Sequence, residues 1–342
     1  MTRRRLSGME APVASAFSKS DFVLAVDPAH PPPRLRKAVY AVGNFDGVHL
    51  GHRAVIERTK ALAKSRGAPS AVLTFEPHPA DYFSGKPVVF RLTPFAIKAR
   101  AIEALGVDGV VFLSFDAALA GLPAEAFVEQ ILVRCLDIGA VVVGWDFHFG
   151  KGRSGSPAFL SRAGERLGFD VDIVDKVETR AGDAAEIVSS SAVRRALEEG
   201  DVEAAARRLG RPYAVSGTVI SGQKLGRTLG VPTANIVLEA TNRLAHGIYA
   251  VRACVGGKWY DGVASYGVRP TVDNGAPLLE TYIFDFDADI YGRELTVEFV
   301  ARIREERKFD SLDALKAEMA RDMARARDIL AARRFGDSGQ IL

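Results

Sequence analysis

Two rhythms of apolar residues divide this chain of 342 residues. Up to about residue 210, short β-branched runs stand between stretches in which apolar positions recur every three or four residues. Ala38-Val39-Tyr40-Ala41-Val42 and the runs at 71–75, 107–112, 140–143 and 171–174 predict buried strands. Residues 53–66, 93–105 and 124–137 predict helices, the second with Thr93 as its cap and Pro94 at its first position. Two shorter helical runs, 191–199 and 201–209, close this part. Strand and helix in alternation imply a parallel sheet with helices on both faces. Beyond Pro212 the period becomes two, in runs at 213–220, 234–238, 247–255, 258–264, 278–286 and 294–301, each bounded by Gly, Pro or Asn. Six such runs with no helix between them imply a small antiparallel barrel. A last helix, opened by Ser311 and carrying Leu312, Leu315, Met319 and Met323, runs to about residue 333.

These rhythms set the expected domains. Residues 1–20 are polar and aperiodic and read as a flexible extension; 21–210 form the first domain, 211–335 the second, and 336–342 a tail. Gly210-Arg211-Pro212 marks the boundary. A hydrophobic share of 48% with 25% charged residues is that of an ordinary globular protein. The net charge of +3 gives no concentrated case for nucleic acid, and no apolar run approaches the roughly 20 residues that cross a bilayer. Cys135 and Cys254 lie far apart in apolar runs, which fits a reducing compartment, and no secretory signal opens the chain; a cytoplasmic location is expected.

Candidate chemistry gathers first at Gly43-Asn44-Phe45-Asp46-Gly47-Val48-His49-Leu50-Gly51-His52, between the first buried run and the first helix. A strand-to-helix turn offers free backbone N–H groups and the positive end of the helix dipole, a natural seat for phosphate. His49 and His52, spaced i and i+3, fall on one face, and Gly51 removes a side chain where phosphate has to approach the main chain. After the second strand, Pro77 and Pro79 fix the backbone around His78, either as a stiff turn or as a loop shaped for a ligand. Ligands of such sheets collect at the carboxyl ends of the strands, where His49, His78 and the loop after Val143 are found.

That last loop holds Gly150-Lys151-Gly152-Arg153-Ser154-Gly155, a G-x-G-x-x-G match with Asp170 and Asp172 near the position of a ribose-binding carboxylate. It keeps open a dinucleotide-binding oxidoreductase. Five residues separate Gly144 from Gly150, however, so the loop reads better as a basic, aromatic, phosphate-meeting segment with Asp146 and Phe149 near a ring system. Later, Ser189-Ser190-Ser191 opens a helix, and Arg194 in its first turn can reach an anion.

In the barrel, Gly222-Gln223-Lys224-Leu225-Gly226-Arg227-Thr228-Leu229-Gly230 repeats glycine every fourth position, and such a cationic loop can wrap a polyphosphate. Thr233 and Asn235 offer neutral oxygens suited to Mg²⁺ already neutralised by nucleotide phosphates. Glu280 shares a strand face with Leu278, Tyr282 and Phe284. A carboxylate there is either one half of a structural ion pair or a general base for a hydroxyl.

The H-x-G-H turn with Ser190, Ser191 and Arg194 resembles the nucleotidyltransferase superfamily. The glycine loop, Val231-Pro232-Thr233-Ala234-Asn235, Gly267-Val268-Arg269-Pro270-Thr271, Glu280 and Arg304-Glu305-Glu306-Arg307 resemble the riboflavin kinase family. In this order they resemble the bacterial FAD synthetase family. The resemblance implies an α/β parallel-sheet nucleotidyltransferase (Rossmann-like) domain followed by a six-stranded antiparallel β-barrel with a C-terminal helix. It implies ATP, riboflavin, FMN and FAD as substrates or products and Mg²⁺ as the metal, with no nucleic-acid or membrane partner; the oligomeric state stays open. By resemblance, His49, His52 and Arg194 serve adenylyl transfer and Glu280 serves phosphoryl transfer. Gly43, Asn44, Phe45, Asp46, Gly51, Ser190, Ser191, Gly222, Lys224, Gly226, Arg227 and Gly230 meet ATP; Pro77, His78, Asp146, Phe149 and Arg307 meet flavin; Thr233 and Asn235 hold the metal. Leu225, Val231, Ser191 and Trp145 depart from the family's usual residues, the first two bearing on kinase substrate binding and the last on the flavin pocket.

Overall fold

The computed structural model describes residues 21–181, 184–221, 231–268 and 277–333. Residues 1–20 and the tail after 333 lie outside this set, as do 222–230 and 269–276 with the glycine loop and Arg269-Pro270-Thr271. The chain forms two compact units, one reaching to Val188 and one running from Ser189 onward and taking in Phe90–Leu92.

The first unit is a six-stranded sheet, all of it parallel: β1 (Val23–Val26), β2 (Val39–Val42), β3 (Ser70–Glu76), β4 (Gly109–Ser114), β5 (Ala140–Gly144) and β6 (Asp170–Val174), in the order β1-β4-β3-β2-β5-β6. The central strands are apolar on both faces because both are covered. Tyr40, Val42, Leu73, Val141 and Val143 pack with Phe127, Leu132 and Leu160 on one side. Val39, Ala41, Val72, Phe112 and Val142 pack with Val55, Ile56, Phe95 and Ile102 on the other. The helices are α1 (Leu50–Arg66), α2 (Pro79–Ser84), α3 (Phe95–Ala104) and α4 (Pro157–Leu167). The helix expected at 124–137 begins as one turn and then winds as a π-helix over Phe127–Cys135. Strand order reverses between β2 and β5, so the turns leaving those two strands flank the crevice where such sheets take ligands. The pattern reading passed over β1, whose four half-buried residues form the edge of the sheet. It also passed over the hairpin of β7 (Glu178–Ala181) and β8 (Ala184–Ile187).

The second unit begins with α5 (Ser190–Glu199) and α6 (Val202–Leu209). These helices bury Val193, Leu197, Val202, Ala205 and Leu209 in one core with Tyr249, Leu279, Val297 and Phe299 of the barrel. Their apolar stripes therefore belong to the unit that follows them in sequence. The barrel strands are β9 (Tyr213–Thr218), β10 (Ala234–Val237), β11 (Gly247–Val255), β12 (Lys258–Val268), β13 (Pro277–Ile283) and β14 (Glu294–Arg304), antiparallel in the order β10-β13-β12-β11-β14-β9. The two ends of this order meet at one bridge, where Ile220 N–H donates to the Asn235 carbonyl at 2.8 Å, nearly closing the barrel. Helix α7 (Leu312–Ala332), capped by Ser311, packs Ala326 and Leu330 against Ala250, Phe284 and Val300.

Glu298 of β14 lies opposite Arg252 of β11. Burial pushes its carboxyl up from 4.5 to about 7, with the guanidiniums of Arg252 and Arg211 pulling the other way. A group whose pKa is raised on folding contributes stability that is complete below its unfolded value and lost as pH rises through its folded value. Between about pH 4.5 and 7 the folded state thus loses on the order of 3 kcal/mol at 1.36 kcal/mol per unit. Glu298→Gln is expected to flatten that slope, read as unfolding midpoints in denaturant from pH 5 to 8; an unchanged slope would refute the assignment.

Candidate functional sites

Between β2 and α1 the chain makes a turn that costs energy to hold. Phe45 (φ 48°), Gly47 (φ 92°) and Val48 (φ 44°) all lie in the left-handed region. For Phe and β-branched Val this amounts to on the order of 1–3 kcal/mol each. Burial offsets it, since Phe45 and Val48 are 1% and 2% exposed. So do hydrogen bonds: Thr93 N–H donates to Asp46 Oδ1 at 2.9 Å, Gly47 N–H donates to Thr93 Oγ1 at 2.8 Å, and the Thr74 hydroxyl donates to the Asn44 carbonyl at 3.0 Å. Thr93 was expected to cap α3, but Pro94 stands at that cap with no side-chain bond, which leaves the Thr93 hydroxyl to the turn.

His49 caps α1, its Nδ1 accepting the His52 backbone N–H at 3.2 Å. With Nδ1 used as an acceptor, a neutral His49 carries its proton on Nε2. The two imidazoles stack with centroids 3.6 Å apart at 14°, and Phe45 meets His52 edge-on at 5.1 Å. The i, i+3 spacing thus becomes a pair of polar rings at the positive end of a 17-residue helix. A Cβ at Gly51 would come within 3.1–3.2 Å of the His49 ring and press on the stack, so glycine here also leaves the His49 ring its room.

The other carboxyl-end loops are built differently. The Glu76–Pro77 bond is cis, and His78 caps α2 by accepting the Ala80 N–H at 3.2 Å. Glu76 and Lys98, 8% and 1% exposed, form a buried ion pair at 3.6 Å. Tyr82, Phe83 and Phe115 meet edge to face at 5.3–5.8 Å, with Phe83 70% exposed. Sequence reading missed this aromatic trio because its rings come from the segments after two different strands. After β5, Trp145 is 53% exposed and Asp146 is exposed. Phe149 instead lies in the core, against Phe127, Phe147 and Phe159 and under Gly155, where a Cβ would strike its ring at 2.6 Å.

The G-x-G-x-x-G segment does not form a strand-turn-helix. It makes one 3₁₀ turn, Lys151–Arg153, closed by a Phe149–Gly155 bridge, and α4 starts after it at Pro157. Asp172 and Asp170 are ion-paired with Arg58, at 2.7 Å, and with Arg66.

In the second unit, Ser189 rather than its neighbours caps α5, accepting the Ala192 N–H at 3.2 Å. Ser190 and Ser191 occupy the first two helical positions, and Arg194 Nε donates to the Phe90 carbonyl at 2.8 Å.

The barrel and α7 enclose a cavity of about 940 Å³ lined by Thr233, Asn235, Glu280, Tyr282, Arg304 and Arg307 among others. Asn235 is 5% exposed; its Nδ2 donates to the Thr233 carbonyl at 3.2 Å, while its buried Oδ1 has no hydrogen-bond partner among the described residues. Asn235 and Glu280 are directly paired across β10 and β13, so amide and carboxylate share one face. Arg304 is locked to Asp322 at 2.7 Å, and Arg307 pairs with Glu318 while lying over the Phe309 ring at 5.0 Å. Gly222, Lys224, Gly226, Arg227 and Gly230 lie outside the described residues. Among the described residues no cluster of three or more His, Cys, Asp or Glu could hold a metal. An orphaned buried amide oxygen beside a carboxylate is a hard-oxygen donor set, and it fits Mg²⁺ carried in by nucleotide phosphates.

Comparison with known proteins finds two family matches in succession along the chain. Residues 32–192 match the family model described as FAD synthetase, and residues 209–330 the one described as riboflavin kinase. A bifunctional riboflavin kinase/FMN adenylyltransferase from Pseudomonas fluorescens is 43% identical over 300 residues, 87% of this chain and 95% of that relative. The protein of the same description from Escherichia coli K12 is 40% identical over 291 residues, 85% of this chain and 92% of that one. A crystal structure of a macrolide-efflux protein from Streptococcus pneumoniae is similar at a TM-score of 0.78 and 29% identity, over 90% of this chain and 99% of that one. Efflux is said of that protein alone; among the described residues here, no helix is long and apolar enough to cross a membrane.

Proposed function

The chain belongs to the bifunctional riboflavin kinase/FMN adenylyltransferase family, and from that premise we propose that it makes FMN from riboflavin and FAD from FMN, using one ATP in each compact unit. The observation that carries the reading is that each unit has its own phosphate-directed constellation. The first has the stacked His49 and His52, and the second has Asn235 and Glu280 in one cavity.

In the barrel, Glu280 takes the proton of the ribityl 5′-hydroxyl as that oxygen attacks the γ-phosphorus of ATP and ADP departs. Asn235 Oδ1 and Thr233 are the proposed metal-facing oxygens; Mg²⁺ supplies neutralisation of phosphate charge there when bound. Gly222, Lys224, Gly226, Arg227 and Gly230 are proposed to cover the phosphates, and Arg307 to border the flavin. In the first unit, an FMN phosphate oxygen attacks the α-phosphorus of ATP, a bond to the β-phosphate bridge breaks, and pyrophosphate leaves. His49 and His52 donate to the charge that develops, catalysis by placement and electrostatics without a covalent intermediate. Gly43, Asn44, Phe45, Asp46 and Gly51 shape the turn that holds them. Pro77, His78 and Asp146 border the flavin, with exposed Phe83 as an aromatic surface for its ring and Phe149 supporting the loop from the core. That Cys135 and Cys254 are in no disulfide among the described residues supports a cytoplasmic location.

The test is a time course of pure protein with riboflavin, ATP and Mg²⁺, flavins separated by chromatography. FMN is expected to rise first and FAD to follow, and EDTA to stop FMN formation. Absence of FAD when FMN is supplied directly would remove half of the proposal.

A further inference from the structure

We infer that Thr93 is a positioning residue for adenylyl transfer, acting through the turn that carries His49 and His52; the inference rests on the assignment of those imidazoles to that step. Thr93 is 1% exposed, and its hydroxyl is bonded into the turn: it accepts the Gly47 N–H at 2.8 Å and faces Asp46 Oδ1 at 3.3 Å as donor. Its backbone N–H donates to the same Asp46 oxygen at 2.9 Å, so side chain and main chain of one residue grip two consecutive turn residues. The helix that Thr93 precedes makes no use of the hydroxyl.

The gripped residues lie between Phe45 and Val48, the two non-glycine residues of this turn held at positive φ. Val48 adjoins His49, whose Nδ1 must meet the His52 N–H for the rings to stack. Without the hydroxyl, Gly47 N–H loses this acceptor in a buried place, and the turn can release strain by returning Val48 to negative φ. That rotation moves the base of the His49 ring and shifts Val48 within the core it shares with Val39 and Ile56. The consequence falls on geometry: a shift of about 1 Å at a charge-stabilising group costs roughly 100-fold in rate.

Thr93→Val keeps the branched shape and removes the hydroxyl; Thr93→Ser keeps the hydroxyl. Thr93→Val is expected to lower kcat for FAD formation from supplied FMN by roughly 10- to 100-fold, with KM for ATP and FMN close to wild type and riboflavin phosphorylation unchanged. Thr93→Ser is expected to restore most of the rate. In long-range nitrogen–proton spectra of protein labelled at its six histidines, the signature of an accepting Nδ1 at His49 should be lost in Thr93→Val and kept in Thr93→Ser. Equal rates for Thr93→Val and wild type, or equal losses in Val and Ser variants with an undisturbed His49 signal, overturn the inference. His52→Ala run alongside separates the layers: if it too retains FAD formation, the assignment of the imidazoles has failed; if it alone loses activity, the positioning role has.

Discussion

His52→Ala is expected to eliminate FAD formation from supplied FMN while riboflavin is still phosphorylated at the wild-type rate. The reason is local. The cap of α1 uses the backbone N–H of residue 52 and the side chain of His49, so alanine keeps the helix start. The His52 ring is in none of the apolar cores of the first unit. What disappears is one of two stacked imidazoles at the helix end, and with it the donor proposed to meet developing phosphate charge. Removal of one such preorganised donor costs on the order of 100- to 1,000-fold in kcat. Pyrophosphate release with FMN and ATP measures it; loss of both activities in a folded variant contradicts separate sites.

The complementary result is expected for Glu280→Gln: riboflavin is no longer converted, and supplied FMN is still adenylated. Glu280 lies between Asn235 on β10 and Ser265 on β12, at the wall of the cavity. The neighbouring positions Leu279 and Ile283 turn toward the barrel core, so an isosteric amide at 280 leaves that packing in place. The substitution removes a proton acceptor, for which general-base catalysis accounts for about 100- to 10,000-fold. ADP release with riboflavin and ATP reads the effect. Wild-type turnover in Glu280→Gln would assign the carboxylate to an ion pair instead.

Much of the architecture was legible because burial on two faces and burial on one face write different patterns. Val39–Val42 and Ala140–Gly144 are continuous apolar runs, as parallel strands between helices must be, whereas β11 alternates. The H-x-G-H pair was legible because i, i+3 spacing fixes a common helical face. Other features depend on contacts between distant positions. Thr93 looks like a helix cap in one dimension, and only folding brings it to Asp46, 47 residues away. The Tyr82–Phe83–Phe115 trio and the Glu76–Lys98 pair are likewise built from separate segments. The stripes of α5 and α6 say that they pack, but not on which side of the chain their partners stand. A carboxylate on an apolar strand face announced Glu280, but the orphaned oxygen of Asn235 could be recognised only once its surroundings were filled in.

Asn235 carries two duties at once. Its carbonyl receives the Ile220 amide at the bridge that, among the described residues, joins the ends of the barrel, and the residue also lines the cavity, its side-chain oxygen buried without a hydrogen-bond partner. If Asn235 meets a cation as proposed, coordination and tautness of that seam are linked quantities: whatever steadies the residue for one steadies it for the other. The kinase half should be at its slackest when empty, with the slack concentrated where its hoop is fastened.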